Sequence, residues 1–347
     1  MSSINQSVPP ASQEESGNDS NRAPSGPWHK LWRGILSSPT GIISGIGLIL
    51  LVVAVLMAPL YAHYVSKTNP FEPGFSQHIE IHGKSIPVMQ QSTQGLGLGV
   101  TPIGPTWHGQ YFLGADSQGR DVMARLLYGG QNSLLIAAAA TVICLILASI
   151  VGIVAGYFGG ITDGVLSNLV DIMWAFPVYL LAITLSILMI GKTFDFGPFH
   201  LSSGSLFIPI MIIGVVYVPY VSRPIRGKVL SIKNSEFIQS ARGLGIKRSR
   251  ILFAHILPNI VSTLIVFAPM LMALNIVTES ALSFLSVGVQ PPNASWGTIL
   301  QDGQNLLYSR PAVSMAPGIA IMITVLLLNL FGDVLSDILD PKSGRGR

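Results

Sequence analysis

The amino-acid sequence predicts an all-α polytopic membrane protein with six membrane-spanning helices. Three observations carry that prediction. The 347 residues are 49% hydrophobic and only 10% charged, with a mean hydropathy of +0.56, whereas soluble domains carry about 25% charge. Six apolar stretches are each long enough to cross a hydrocarbon layer of ~30 Å. The basic residues are also unevenly placed. With the N-terminus inside, fourteen of the twenty Lys and Arg fall in cytoplasmic segments, and four of the six external ones lie in a long loop. Positive charge in short loops resists translocation, and long loops largely escape that rule. The net charge of +4 and pI near 9.2 therefore reflect topology, and nucleic acid is not an expected partner. The single cysteine, Cys144, excludes an internal disulfide and sits in an apolar span.

In order along the chain, residues 1–36 form a cytoplasmic tail, rich in Ser, Asn, Gln and Pro up to residue 27 and expected to be mostly disordered. The apolar run that follows starts too late and is too long for a signal peptide. Trp28, His29, Lys30, Trp32 and Arg33 make a basic-aromatic collar suited to the membrane interface. The first span occupies 41–61, within a segment bounded at 37–62. Residues 63–130 form an external region. Within it, 77–90 alternates apolar and polar residues around His82-Gly83-Lys84, the pattern of a small hairpin. His78, Glu80 and His82 would share one face of that strand, a weak candidate metal trio beside the plainer reading of a solvated strand edge.

A membrane core over 131–333 holds the remaining spans. The second, 134–158, carries Gly152 and Gly156 at four-residue spacing, which permits close approach of another helix. The third, 165–190, is interrupted by Pro177 and contains Asp171. An intramembrane carboxylate faces a cavity or partner, or sits at the wet interface. The fourth, 206–222, contains Pro209 and Pro219. The fifth, 256–280, contains Pro258, Pro269, Asn275 and Glu279. Asp171, Pro177, Asn275 and Glu279 are the candidates for lining a pathway, because irregular or polar positions in spans need neighbours or a wet cavity to satisfy them. The sixth span is 313–331, and 334–347 is a cytoplasmic tail.

Between the fourth and fifth spans, 223–258 is the longest polar interval in the second half of the chain. It holds eight of the twenty basic residues against one acid, Glu236. Two short helices around a glycine corner are expected. Asn234 or Ser235 caps the first, Gly243 and Gly245 break it, and the second runs from Lys247 to a boundary at Pro258. Such an elbow is shaped to dock into a partner's groove.

The same interval resembles the cytoplasmic coupling motif of ABC-importer permeases: Glu-Ala-Ala, a Gly four residues later, then Ile-x-Leu-Pro. Gln239, Ser240 and Ala241, then Gly245, then Leu257 and Pro258 fall on it. Gln239, Ser240 and His255 depart from the motif. The phrasing Glu236-Phe237-Ile238 with Ala241-Arg242 and Leu244-Gly245, and His255-Ile256-Leu257-Pro258-Asn259, is similar to the dipeptide, oligopeptide and nickel branch of that family. So are the run from Leu113 through Gly119-Arg120-Asp121, with Ala115 in place of Thr, and the stretch from Glu279 through Ser295-Trp296-Gly297. In residue terms, Asp116 and Asp121 suit turn caps that pair with Arg120 or Arg125.

The resemblance implies a type I ABC-importer permease fold and transport of di- or oligopeptides, with nickel chelates or glutathione as alternatives. It implies a second permease chain, two ATPase subunits and an external substrate-binding protein as partners in a bacterial or archaeal cell membrane. Glu236, Gln239, Ser240, Ala241, Arg242, Gly243, Leu244, Gly245 and Pro258 are then the ATPase-coupling residues. No Gly-x-x-x-x-Gly-Lys-Ser/Thr loop occurs in the chain, so ATP and Mg belong to the partner ATPases, with no cofactor and no catalytic residue here. The rival from another class is an ion-gradient-driven secondary transporter, for which inverted repeats with matched broken helices would be expected.

Overall fold

Residues 27–81, 83–91, 99–196, 199–201 and 204–339 are described by the structure, a computed structural model. The disorder expected of the N-terminal tail falls mostly on residues outside this set. Helix α1 (Pro27–Ser37) packs against the end of the last helix, where a Cβ on Gly34 would meet Ile338 Cγ1 at 2.6 Å. Ser38 then caps α2 (Pro39–Leu56), its hydroxyl accepting from Gly41 N at 3.2 Å. Pro39 opens α2 at a position that needs no N–H. The helix stops five residues before the expected end of span one, because Pro59 cannot supply the next backbone bond. A single turn, α3 (Ala58–Leu60), and a π-helical turn, Tyr61–Ser66, carry the chain out of the bilayer region.

The long polar region after the first span contains the expected hairpin. Strand β1 (His78–Ile81) pairs antiparallel with β2 (Lys84–Pro87), His78 opposite Pro87 and Ile81 opposite Lys84, and Gly83 turns at φ 73°. A second antiparallel pair, β3 (Met89–Gln91) with β4 (Val100–Pro102), was not legible, since three residues per strand show no alternation. Ile79, Val88, Ile103, Tyr111 and Ala115 close a small core under both pairs.

Helix α4 (Val122–Phe158) begins twelve residues before the expected second span. Its length of about 55 Å exceeds the bilayer, so its first turns stand outside. The expected third span is two helices, α5 (Gly160–Ala175) and α6 (Val178–Met189), bent by 90° at Phe176-Pro177. A short antiparallel pair, β5 (Phe194–Phe196) and β6 (Phe199–Leu201), follows. The fourth span is likewise bent, by 45°, between α7 (Phe207–Val216) and α8 (Val218–Lys233). The polar interval is therefore helical through Lys233, and the elbow itself starts at Asn234.

The elbow comprises α9 (Glu236–Gly243) and α10 (Arg248–Ile251). Pro258 does not end the second helix as expected. A π-helical turn, Leu252–Ile256, joins α10 to α11 (Leu257–Phe284), with Leu257 N bonding Leu252 O. The wider turn absorbs the backbone bond that proline cannot donate. Helix α12 (Trp296–Gly303) and the long α13 (Pro311–Leu339) complete the chain. Four of these helical runs are long and apolar enough to cross a membrane, and six spans result if each bent pair is one.

Helix α4 is the axis of packing. One buried cluster joins it to α7, α8, α9 and α11 through Ile136, Ile213, Ile225, Ile238 and Ile260; a second joins it to α2, α12 and α13 through Val55, Trp296 and Leu328. Gly152 and Gly156 seat α8. A Cβ at Gly152 would lie 2.7 Å from Ile225 Cγ2 and 2.8 Å from Ser222 O, and one at Gly156 2.8 Å from Val229 Cβ.

Candidate functional site

The elbow is built from its C-cap outward. Gly245 adopts φ +75°. Its N–H bonds Arg242 O at 2.9 Å and the next N–H, of Ile246, bonds Ala241 O at 3.1 Å. This pair of bonds is the Schellman closure, which a left-handed glycine makes cheap. Ile246 then packs onto the main core, fixing the direction in which the chain leaves α9. Ser235 occupies the N-cap position, but its hydroxyl donates to Ile232 O at 2.6 Å instead of capping. Gln239 reaches back to Asn234 O at 3.1 Å.

Buried Ile238 and Ala241 hold α9 to the body of the protein. Glu236, Gln239, Ser240, Arg242, Gly243, Leu244 and Gly245 stand exposed, Leu244 by 81%. Ala241 therefore faces inward, and Pro258 lies exposed on the first turn of α11. Phe237, half-exposed and edge-on to His255 at 6.0 Å, adds an apolar contact that motif matching overlooked. A solvent-facing Phe in a charged segment was the available signal.

Two ion pairs strap α5 to α8. Asp163 takes Arg226 in a two-pronged grip at 2.5 and 2.6 Å, and Asp171 takes Arg223 at 2.6 Å. Arg223 also covers the Trp174 ring at 4.9 Å. Two of the eight basic residues assigned to loop topology thus neutralise acids on a neighbouring helix. Asp171 and Arg223 are about half-exposed and border a cavity of about 320 Å³ between α4, α5 and α8. Pro177 sits at the 90° break.

Asn275 and Glu279 are fully buried on α11, against α4. Asn275 Nδ2 donates to Thr141 Oγ1 at 2.9 Å. Glu279 accepts from Ser133 Oγ at 2.8 Å and Ser283 Oγ at 2.7 Å, while Ser133 Oγ accepts from Trp296 N at 3.1 Å. One carboxyl group thereby ties α4, α11 and α12. Glu279→Leu is expected to lower stability by about 1–3 kcal/mol, because it strands two buried hydroxyls. Thermal melting of the purified protein checks this, with Glu279→Gln retaining more stability than Glu279→Leu.

Outside the spans, Asp116 meets Arg120 Nε at 2.7 Å and Arg125 Nε at 3.4 Å, and Asp302 on α12 receives both guanidinium groups at 2.7 and 3.0 Å. Burial pushes the Asp302 carboxyl upward while Arg125 and Arg120 pull it down. Asp121 caps α4 through Ala124 N at 3.0 Å and accepts from Tyr111 N and Ser66 Oγ, each at 2.8 Å. Burial raises its carboxyl against those bonds, and burial together with Asp121 raises the Tyr111 phenol. The caps and Arg pairs expected from the sequence are present; Asp302, 177 residues from Arg125, was not foreseeable. His78 is exposed, Glu80 lies opposite Ser85, and His82 lies outside the described residues. Among the described residues no three His, Cys, Asp or Glu could hold a metal.

The comparisons with known proteins agree with this architecture. The family profile described as binding-protein-dependent transport system inner membrane component matches residues 148–345, from the last three turns of α4 through α13. The chain is 31% identical over 316 residues to the glutathione transport system permease protein GsiD of Pectobacterium atrosepticum, covering 91% of each. It is 38% identical over 233 residues to the dipeptide transport system permease protein DppC of Alkalihalophilus pseudofirmus, covering 67% of this chain and 72% of that one. The oligopeptide transport system permease protein OppC of Haemophilus influenzae is 34% identical over 238 residues, 69% of this chain and 72% of that one. The chain belongs to the binding-protein-dependent transport system inner membrane component family and is a multi-pass membrane permease subunit of an ABC importer.

Proposed function

We propose that this subunit forms, with a second permease chain, the pathway for di- or oligopeptides handed over by an external binding protein. Two ATPase subunits serve the pair of permease chains, move this chain through its elbow and supply the ATP and Mg chemistry. The observation that carries the reading is α9 itself, pinned inward by Ile238 and Ala241 while Glu236, Gln239, Arg242 and Leu244 face out beside a stiff glycine closure. A push on α9 passes to α8, which is seated on α4 at Gly152 and Gly156. It passes also to α10, which runs without a break into α11. In this reading the elbow and both termini lie on the cytoplasmic side, as the distribution of basic residues supports. Exposed Ile161, Val165, Leu169 and Ile172 on α5, with Tyr179, Leu180, Ile187 and Leu188 on α6, present the apolar face that a second permease chain would cover. Asp171, held by Arg223 of α8 on the opposite side of α5 from this face, and the break at Pro177 are the pathway positions in this reading, whereas Asn275 and Glu279 act as clamps between helices.

Glutathione, itself a tripeptide thiol, is the second reading, favoured by similarity to GsiD over 91% of both chains. The test is uptake by the reconstituted complex with its cognate binding protein, comparing labelled dipeptides, longer peptides and glutathione. ATP-dependent peptide uptake and co-purifying ATPase subunits are expected. Uptake driven by a proton gradient without ATP would overturn the reading.

A further inference from the structure

Beside the elbow, where the chain leaves the apolar layer, a cavity of about 360 Å³ is lined by Tyr157, Phe158, Lys233, Arg242, Ile246 and Arg248. Three cations converge there. None of the three is ion-paired among the described residues, although Arg120, Arg125, Arg223 and Arg226 all are. Asp163, on the adjoining first turn of α5, has both oxygens taken by Arg226. The cations are also positioned. Arg242 lies over the Tyr157 ring at 5.5 Å, and the Tyr157 hydroxyl donates to Arg248 O at 3.4 Å. A Cβ on Gly159 would stand 3.6 Å from Lys233 Nζ, which places the ammonium beside the glycine turn, where it also acts as a neighbouring charge on Asp163. Phe158, the last residue of the apolar helix α4, is 57% exposed beside Tyr157.

We propose that this cavity binds the phosphate of an anionic phospholipid, with Lys233 and Arg248 on the headgroup, Arg242 stacked on Tyr157 at the rim, and Phe158 against the first acyl carbons. A cationic recess between helix ends at the membrane surface is the setting in which anionic headgroups are held. Free inorganic phosphate shares the charge chemistry but has no use for the exposed Phe158 at the apolar margin, which is why the lipid is the occupant.

The test is native mass spectrometry of the intact transporter complex, titrated with phosphatidylglycerol or with phosphatidylcholine of the same acyl chains. Phosphatidylglycerol should be retained over phosphatidylcholine. The double variant Lys233→Gln with Arg248→Gln should bind it roughly thirtyfold more weakly, and Lys233→Arg with Arg248→Lys should retain it. Equal retention of both lipids, unchanged retention in the Gln variant, or displacement of the lipid by millimolar inorganic phosphate would overturn the proposal. Should the Gln variant fail to fold, the wild-type lipid comparison and the phosphate chase still decide. Co-purification of ATPase subunits in the same sample reports on the coupling reading separately.

Discussion

Gly245→Val is expected to leave the protein inserted and folded while peptide uptake falls about tenfold or more and ATPase subunits co-purify poorly. A Cβ at Gly245 would meet nothing within 4 Å, so crowding is not the cause. The backbone is: φ is +75°. Holding an ordinary L-residue there costs about 1–2 kcal/mol, and a β-branched one is a clear outlier. At about 1.4 kcal/mol per tenfold, that suffices to depopulate the closure made by the Gly245 and Ile246 amides. The end of α9 then frays and Leu244 loses its fixed place, while the buried clusters around α4 are untouched. Gly245→Asn, which tolerates the left-handed region, should retain much of the activity. Full uptake by a well-expressed Gly245→Val protein would remove the basis for placing the docking face at this corner.

The second large effect is expected at Gly152→Ala. In a free helix this change would stabilise by about 1 kcal/mol. Here the new Cβ would stand 2.7 Å from Ile225 Cγ2 and 2.8 Å from Ser222 O. The side chain can turn aside, but the carbonyl belongs to the α8 backbone and moves only if the helices part. Overpacking of this kind costs about 1–3 kcal/mol, so the net sign is destabilising. Gly227→Ala, on α8 with nothing within 4 Å, supplies the control and should be neutral or slightly favourable. Detergent melting temperatures and membrane yield compare the two variants. Equal stability would mean that α4 and α8 are not in close contact, and that motion of the elbow reaches the spans by another route.

The sequence read most clearly where one residue type answers a local demand. The hairpin turn at Gly83, the cap at Asp121, the close approach at Gly152 and Gly156 and the left-handed corner at Gly245 all follow from short-range chemistry, and the structure has each of them. It read less clearly at prolines. Pro177 marks a 90° bend, whereas Pro258 passes through a π-helical turn with no break. A proline states only that one backbone bond is missing, and whether the helix turns or widens depends on what packs around it. Basic residues were the other ambiguity. Arg223 and Arg226 count towards loop charge in a sequence tally, yet they pair with Asp171 and Asp163 on α5.

By itself the sequence determined the class of the molecule, the number of apolar crossings, the glycine elbow and the kinship carried by its motifs. These depend on composition and on spacings of a few residues, which any sequence exposes directly. The tertiary structure alone decided that Asp302 joins Arg120 and Arg125, that Glu279 clasps Ser133 and Ser283 beside Trp296, and that Lys233, Arg242 and Arg248 line one cavity with Tyr157. Those groupings unite side chains up to 182 residues apart. Which partners meet over such separations is set by how whole helices pack, and no local pattern records it.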